Sequence, residues 1–520
     1  MGSRGVVAAG DPQTAEAGAV ALRAGGNAVD AAVAAGFASF VAEPPLATMA
    51  GGGVMLAGSP SDGFHVVDAF AVMPGLGLDV RPDPLDFFGV EVDFGATTQV
   101  FHIGRGSVAV PGALPGLLRS HARWGRLPLR EVVAPAVQLG REGFVLSGQV
   151  FWINRLLEPI MTHSPGVRRT VCVGDSAQLA PPNSRLYNTD MADFLEEVGR
   201  VGEAVLCGEW RRLLLATAGP QVGGLLTEAD LDAYEPVVRA PLAVKFGGRT
   251  VLSNPPPSAG GVLVGVGLKV AARLGLADRA FMSPGHVAGL AAVLRAMSDV
   301  RGEDFDQRIA RPGGAEQLLE SAVIDRLVAG SGGSHAESAL GSTTHISVLD
   351  ADQGAASLTL SNGEGCGFVA PGTGVHLNNF LGEEDINPLG FHQLAPGTRL
   401  STMMAPTVVL DGGRPVLVVG TGGSNRIRSV LLQALLHRLA HGRELEATIA
   451  APRLHVEGSR LWYERVDMSD EAAEALEGAW PGATSFAERN MYFGGVHAVE
   501  DFGVLRGAGD GRRGGAVVIA

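Results

Sequence analysis

Two adjacent hydroxyls stand where a loop turns into a strand. The stretch Gly341-Ser342-Thr343-Thr344-His345-Ile346-Ser347-Val348-Leu349-Asp350 follows a small, glycine-rich run, Gly330-Ser331-Gly332-Gly333-Ser334-His335, that reads as a mobile loop. From Ile346 onward apolar residues alternate as a strand requires. Thr343 has two readings. In one, the chain cuts itself between Ser342 and Thr343, and the new α-amine, with an ordinary pKa of about 8, serves as base for the threonine's own hydroxyl. A hydroxyl is a weak nucleophile at neutral pH and needs such a base within hydrogen-bond reach. In the other, Thr343 and Thr344 are β-formers opening a strand. His345 falls on the strand face opposite Thr344, which suits packing or a part in autocleavage better than turnover chemistry. Cys366, in Gly365-Cys366-Gly367, has no motif that would lower its pKa and reads as a small wall residue.

The elements that must position these residues alternate between strand and helix. Residues 5–9 suit a buried strand. Helices over about 14–23 and 31–40 follow, the first closed by Gly25-Gly26 and the second stopped by Pro44-Pro45. Gly51-Gly52-Gly53 precedes a strand rather than a helix, so it predicts close backbone packing and not a phosphate loop. Residues 68–104 are proline-rich and irregular, a lid or pocket wall, and 145–198 show no clear period. Helices are expected at 113–124, 129–142, 203–217, 227–234, from Pro255-Pro256-Pro257 to about 274, and at 286–300. Beyond Thr343 come strands near 346–349, 355–360, 404–410 and 415–419, a helix over 424–441, and last strands at 494–500 and 516–519. Two strand clusters among helices predict an α+β layered sandwich folded as one compact unit.

Composition narrows the function classes. The chain has 520 residues, 46% hydrophobic and 18% charged, which is globular. A net charge of −14 without a run of lysine or arginine argues against nucleic acid. Cys172, Cys207 and Cys366 are far apart, and neither they nor the histidines show metal spacing, so no metal and no cofactor is expected. No stretch approaches the roughly 20 apolar residues of a membrane span, and no secretory signal is evident, so a cytoplasmic protein is expected, or a periplasmic or secreted one if a signal has been trimmed.

Several stretches then agree in order: Gly25-Gly26-Asn27-Ala28-Val29-Asp30, Gly51-Gly52-Gly53, Val110-Pro111-Gly112, Pro255-Pro256-Pro257-Ser258-Ala259-Gly260-Gly261, Thr343-Thr344-His345, Leu377-Asn378-Asn379 and Gly422-Gly423-Ser424. Together they resemble the gamma-glutamyltranspeptidase family, from about Gly5 to the C-terminus. The resemblance implies an N-terminal-nucleophile hydrolase with an αββα four-layer sandwich. It implies one chain cut into a large piece (1–342) and a small catalytic piece (343–520) that remain an interleaved heterodimer. It implies Thr343 as nucleophile, Ser361 as the hydrogen-bond partner of its amine (with Thr359 the alternative), and Gly422 and Gly423 as the oxyanion hole. Ser401 and Thr402 match the pair that binds the substrate's α-carboxylate. Read without the family, Gly422-Gly423 is equally a helix entry capped by Ser424, and Ser401-Thr402 a strand edge. The partners implied are a small amide such as glutathione and either water or an acceptor amine.

The departures concern the acyl pocket. Phe70 stands where the family has a carboxylate-clamping arginine, so a bidentate donor has become an apolar ring. Phe380 and Glu383 replace a glutamine and an aspartate that hold the glutamyl amine; Glu383 can still take an ammonium. Ser361-Asn362-Gly363-Glu364-Gly365-Cys366-Gly367 replaces a Thr-Leu-Asn segment, with Glu364 either a second pocket carboxylate or a solvated loop residue. Arg105 is the candidate replacement clamp, or a surface charge. The main expectation is a γ-glutamyl amide hydrolase or acyltransferase. The alternatives are an acylase with altered acyl specificity, which Phe70 and Phe380 favour, and an uncut binding or scaffold homologue.

Overall fold

The computed structural model describes residues 3–93, 98–174, 176–302, 304–330 and 342–520. Residues 331–335 of the glycine-rich run expected as a mobile loop lie outside the described residues, as do 336–341.

Two antiparallel sheets form the centre. The strands are β1 (Gly5–Ala9), β2 (Gly52–Ser59), β3 (Gly63–Ala69), β4 (Val237–Arg239), β5 (Leu242–Phe246), β6 (Arg249–Ser253), β7 (Thr344–Asp350), β8 (Ala355–Ser361), β9 (Thr407–Asp411), β10 (Arg414–Gly422), β11 (Gly495–Asp501), β12 (Leu505–Gly509) and β13 (Ala516–Ile519). One sheet runs β13-β1-β7-β8-β2-β3-β4, the other β12-β11-β10-β9-β6-β5. Both contain strands from either side of residue 343.

Alternation along the strands separates three cores. Val6, Ala8, Val54, Leu56, Leu349, Val408, Val418 and Val499 pack between the sheets. On the outer face of the first sheet, Val7, Met55, Ile346, Val348 and Leu358 meet helices α1 (Pro12–Arg23), α2 (Ala28–Ala42) and α3 (Ala113–Trp124). On the outer face of the second, Val251, Val409, Leu417, Val419 and Val496 meet α4 (Ala259–Arg273), α5 (Pro284–Val300) and α6 (Arg426–Leu439). This is the four-layer αββα arrangement. The small residues of α2 are all buried, and Asn27 opens it with a capping box to Asp30.

Four local expectations change. The stretch 68–104 holds a hairpin, Phe88–Asp93 paired with Thr98–Ile103, because Val92, Phe101 and Ile103 find a small core of their own. Residues 145–198 contain helices, among them Gly148–Leu156, Pro165–Val171 and Thr189–Val201. The helix expected over 203–217 is a 3-10 turn, Gly202–Cys207, and a helix, Glu209–Ala218, broken at Gly208. Ser424 does not cap α6: it has φ +49°, and the helix begins at Arg426 after Asn425. Among the described residues no helix is long and apolar enough to cross a membrane, and no group of side chains could hold a metal ion.

Candidate active site

Thr343 immediately precedes β7 and is 6% exposed. Strand alternation puts it on the same side as His345 and Ser347, facing the second sheet, while Thr344 points to the helices. The end of β10 closes on it: a Cβ at Gly422 would lie 2.1 Å from the Thr343 carbonyl oxygen and 3.1 Å from its Cβ, so only glycine fits. Gly423 follows with φ +127°, a conformation side chains resist. The chain therefore turns sharply beside Thr343 before entering α6.

Ser361, at the end of β8, donates its hydroxyl to the Ser342 carbonyl oxygen at 2.6 Å. The Gly363 amide donates in turn to Ser361 Oγ at 3.1 Å. The hydroxyl thus addresses the carbonyl of the 342–343 peptide bond. Thr359, two residues earlier, instead meets His345 Nδ1 at 2.9 Å, and Ser347 Oγ meets His345 Nε2 at 3.0 Å. Burial holds His345 well below its usual pKa, and a Cβ at Gly420 would strike its ring. A neutral imidazole wedged between the sheets has a packing role.

The turn after Ser361 is pressed against acids. Gly363 has φ +63°, and a Cβ there would sit 2.2 Å from Asn379 Oδ1 and 2.3 Å from Glu383 Oε1. Asn379 Oδ1 accepts the Glu364 and Gly365 amides at 2.8 and 3.1 Å, fixing the turn. Glu364 is 1% exposed, a pocket carboxylate rather than a solvated loop residue. Glu364 is pushed up to about 8, by burial first and then by Asp385. Burial and then Glu364 push Glu383 well above the carboxylate range. Asp385 is raised by burial, against the opposing pull of Ser424, Arg301 and Arg426. Ser424 Oγ donates to Asp385, which ties this acidic group to the Gly422-Gly423 turn. One oxygen of each acid, Glu364 Oε1, Glu383 Oε1 and Asp385 Oδ1, is buried without a hydrogen-bond partner among the described residues. Three such acceptors in a low-dielectric site favour a cation.

Around the positions expected to clamp a carboxylate, the surroundings are apolar or already engaged. Phe70 and Phe380 are both buried, with ring centroids 4.8 Å apart. They pack over Gly52, where a Cβ would come within 3.0 Å of Phe70. Ser401 Oγ lies 3.0 Å from the Pro257 carbonyl and 3.1 Å from Asp306 Oδ1. Its single proton serves one of them, beside a carboxylate that would repel another. Thr402 Oγ1 accepts the Met404 amide at 3.2 Å. Arg105 pairs with Asp86 at 2.6 Å and lies 3.8 Å over the Phe368 ring. Burial pushes the Cys366 thiol up to about 12, which makes it inert.

Two neighbours of the candidate site escaped sequence reasoning. Asp385 lies two residues beyond Glu383, and no motif in the sequence marks it. Glu43, after α2, accepts the Thr14 and Thr344 hydroxyls at 2.7 Å each. It is pushed up to about 7 by burial and then by Asp11, and it anchors the residue after Thr343. Only its place at the end of a wholly buried helix signals it.

The family model described as Gamma-glutamyltranspeptidase matches residues 14–520. The chain is 33% identical over 493 residues to the Acylase ACY 1 proenzyme of Pseudomonas sp. (strain V22), covering 91% of this chain and 86% of that one. It is 26% identical over 557 residues to the Glutathione hydrolase proenzyme of Bacillus subtilis (strain 168), covering 100% and 92%. The solved cephalosporin acylase from Bacillus halodurans superposes with a TM-score of 0.79 at 22% identity, covering 99% of this chain and 96% of that chain; at that identity it supports the fold.

Proposed function

The chain belongs to the gamma-glutamyltranspeptidase family, and from that premise we propose that Thr343 is the nucleophile of an autoprocessed amide hydrolase or acyltransferase. The observation that carries this reading is the meeting of the 342–343 peptide bond with the Ser361 hydroxyl and with the close-packed Gly422. In maturation, Thr343 Oγ adds to the Ser342 carbonyl carbon, the carbon–nitrogen bond breaks, and the acyl group passes to oxygen as an ester. Water then releases residues 1–342 and leaves Thr343 with a free α-amine. In turnover that amine takes the hydroxyl proton as Thr343 Oγ attacks the substrate amide. The Gly422 and Gly423 turn offers backbone amides to the oxyanion, where one lost donor costs about 3 kcal/mol of barrier. The proton goes to the leaving amine, and water or a second amine takes the acyl group from the ester. The substrate is a small amide, and the two pieces stay together as a heterodimer.

The family's γ-glutamyl reaction keeps its amine-binding half here, since Glu383 and Glu364 offer unpartnered acceptors. The Phe70–Phe380 contact favours a second reading for the other half, an acylase whose acyl group lacks the α-carboxylate. A relative named as an acylase is in line with it. Intact-mass measurement with and without Thr343→Ala tests the nucleophile: two fragments are expected from the wild type and a single 53.5 kDa chain from the variant. A wild-type chain that is active while uncut overturns the assignment. Rates on glutathione against amine-bearing amides without the carboxylate separate the two acyl specificities.

A further inference from the structure

At the far end of α6 from Gly423, about 20 Å along the helix axis, lies a cluster that the amide chemistry does not use. His437, in the last turn of α6, and His441, just beyond it, meet His286 from the first turn of α5. Ring centroids are 4.8 Å apart for His286 and His441, 5.9 Å for His286 and His437, and 6.3 Å for His437 and His441. Phe281 packs against all three rings, and the Arg443 guanidinium lies 3.9 Å over Phe281. His286 and His437 are at most 1% exposed. Nε2 of each of the three histidines, and Nε of Arg443, is buried without a hydrogen-bond partner among the described residues. Interiors seldom leave even one such nitrogen unpaired.

The sign of a ligand follows from the surroundings. Among the described residues the charged groups acting on the rings are Arg279 beside His286, Arg443 and Arg453 from the segment after α6, and the histidines themselves, with no carboxylate among them. His286 Nδ1 accepts the Met282 amide at 3.3 Å. In a neutral ring that puts the proton on Nε2, so this atom is a donor. A metal ion would need a lone pair there and would be opposed by the arginines.

We propose that this cluster is a binding site for a small tetrahedral oxyanion, the size of sulfate or phosphate, held by the three imidazoles and Arg443. Anion binding favours the imidazolium forms, so the complex takes up protons and tightens as pH falls.

The test is calorimetric titration of the full chain with inorganic sulfate, which stays doubly charged from pH 6 to pH 8, against chloride at matched ionic strength. Saturable binding that is weaker at pH 8 is expected. Arg443→Met should weaken it roughly tenfold or more, as the loss of a charged hydrogen bond does, with amide hydrolysis unchanged; His441→Phe gives a second, independent reading. Competition by phenyl phosphate assigns the site to a phosphoryl ester and its failure to the free ion, and either supports the proposal. Sulfate binding no better than chloride, binding of zinc in place of sulfate, or undiminished affinity in both variants overturns it.

Discussion

Removing the Ser361 hydroxyl should stall maturation. Its oxygen lies 2.6 Å from the Ser342 carbonyl oxygen, on which charge develops as Thr343 adds to the carbonyl carbon. In the ground state such a bond contributes about 1 kcal/mol. A positioned donor to an oxyanion contributes about 2.7–4 kcal/mol, or 10²–10³-fold in rate. Ser361→Ala should therefore slow the appearance of the two fragments by roughly 10²–10³-fold, and Ser361→Thr, which keeps the donor, by less than about tenfold. The variant also leaves the Gly363 amide without its acceptor, costing about 1–3 kcal/mol of stability. The melting temperature must accordingly be measured beside the kinetics. Intact mass, followed from purification at 25 °C, gives the rate. Wild-type maturation by a folded Ser361→Ala chain would refute the assignment of this hydroxyl to the scissile carbonyl.

Other outcomes follow from the same geometry. Gly422→Ala would set a Cβ 2.1 Å from the Thr343 carbonyl oxygen; no fragments should form, and normal maturation would show that β10 does not confine Thr343. Glu364, near 4.5 when unfolded and raised to about 8 when folded, contributes stability that is complete below about pH 4.5 and lost as pH rises through 8. Glu364→Gln should flatten the fall in melting temperature between pH 5 and pH 9, and equal slopes would contradict the burial argument. Phe70→Ala should destabilise by about 3–5 kcal/mol in urea, by emptying the volume that Phe380 packs against; a loss under 1 kcal/mol would mean the ring pair is loosely packed.

What the sequence made legible was whatever depends on periodicity, caps and order along the chain. The alternation in β7 and the Gly25-Gly26 end of α1 could be read in advance, and the family resemblance pointed to the glycines next to Thr343. The acidic site could not, because burial is collective: Glu383 is buried and Asp385 half-buried, while Glu384 between them is exposed. The hairpin from Phe88 was hidden because its apolar residues face a private core built from distant helices. Ser401 looked like an available hydroxyl. Only the fold brings Asp306 and Pro257 to it.

The order of strands has a consequence for how such a molecule can be made and unmade. β8 pairs with β7 from Thr344 onward, whereas β1 meets it only from Ser347 to Asp350, so the chain end that the proposed cut would create at Thr343 is held by a ladder on one side. Segments before residue 343 supply β1 to β6 and segments after it supply β7 to β13, so neither piece of the proposed cut would retain a complete hydrophobic interior when alone. On the proposed processing, covalent continuity would serve to assemble the architecture and be dispensable once it stands. Heating or denaturing the nicked form should be a one-way event, whereas the unbroken precursor can find its way back.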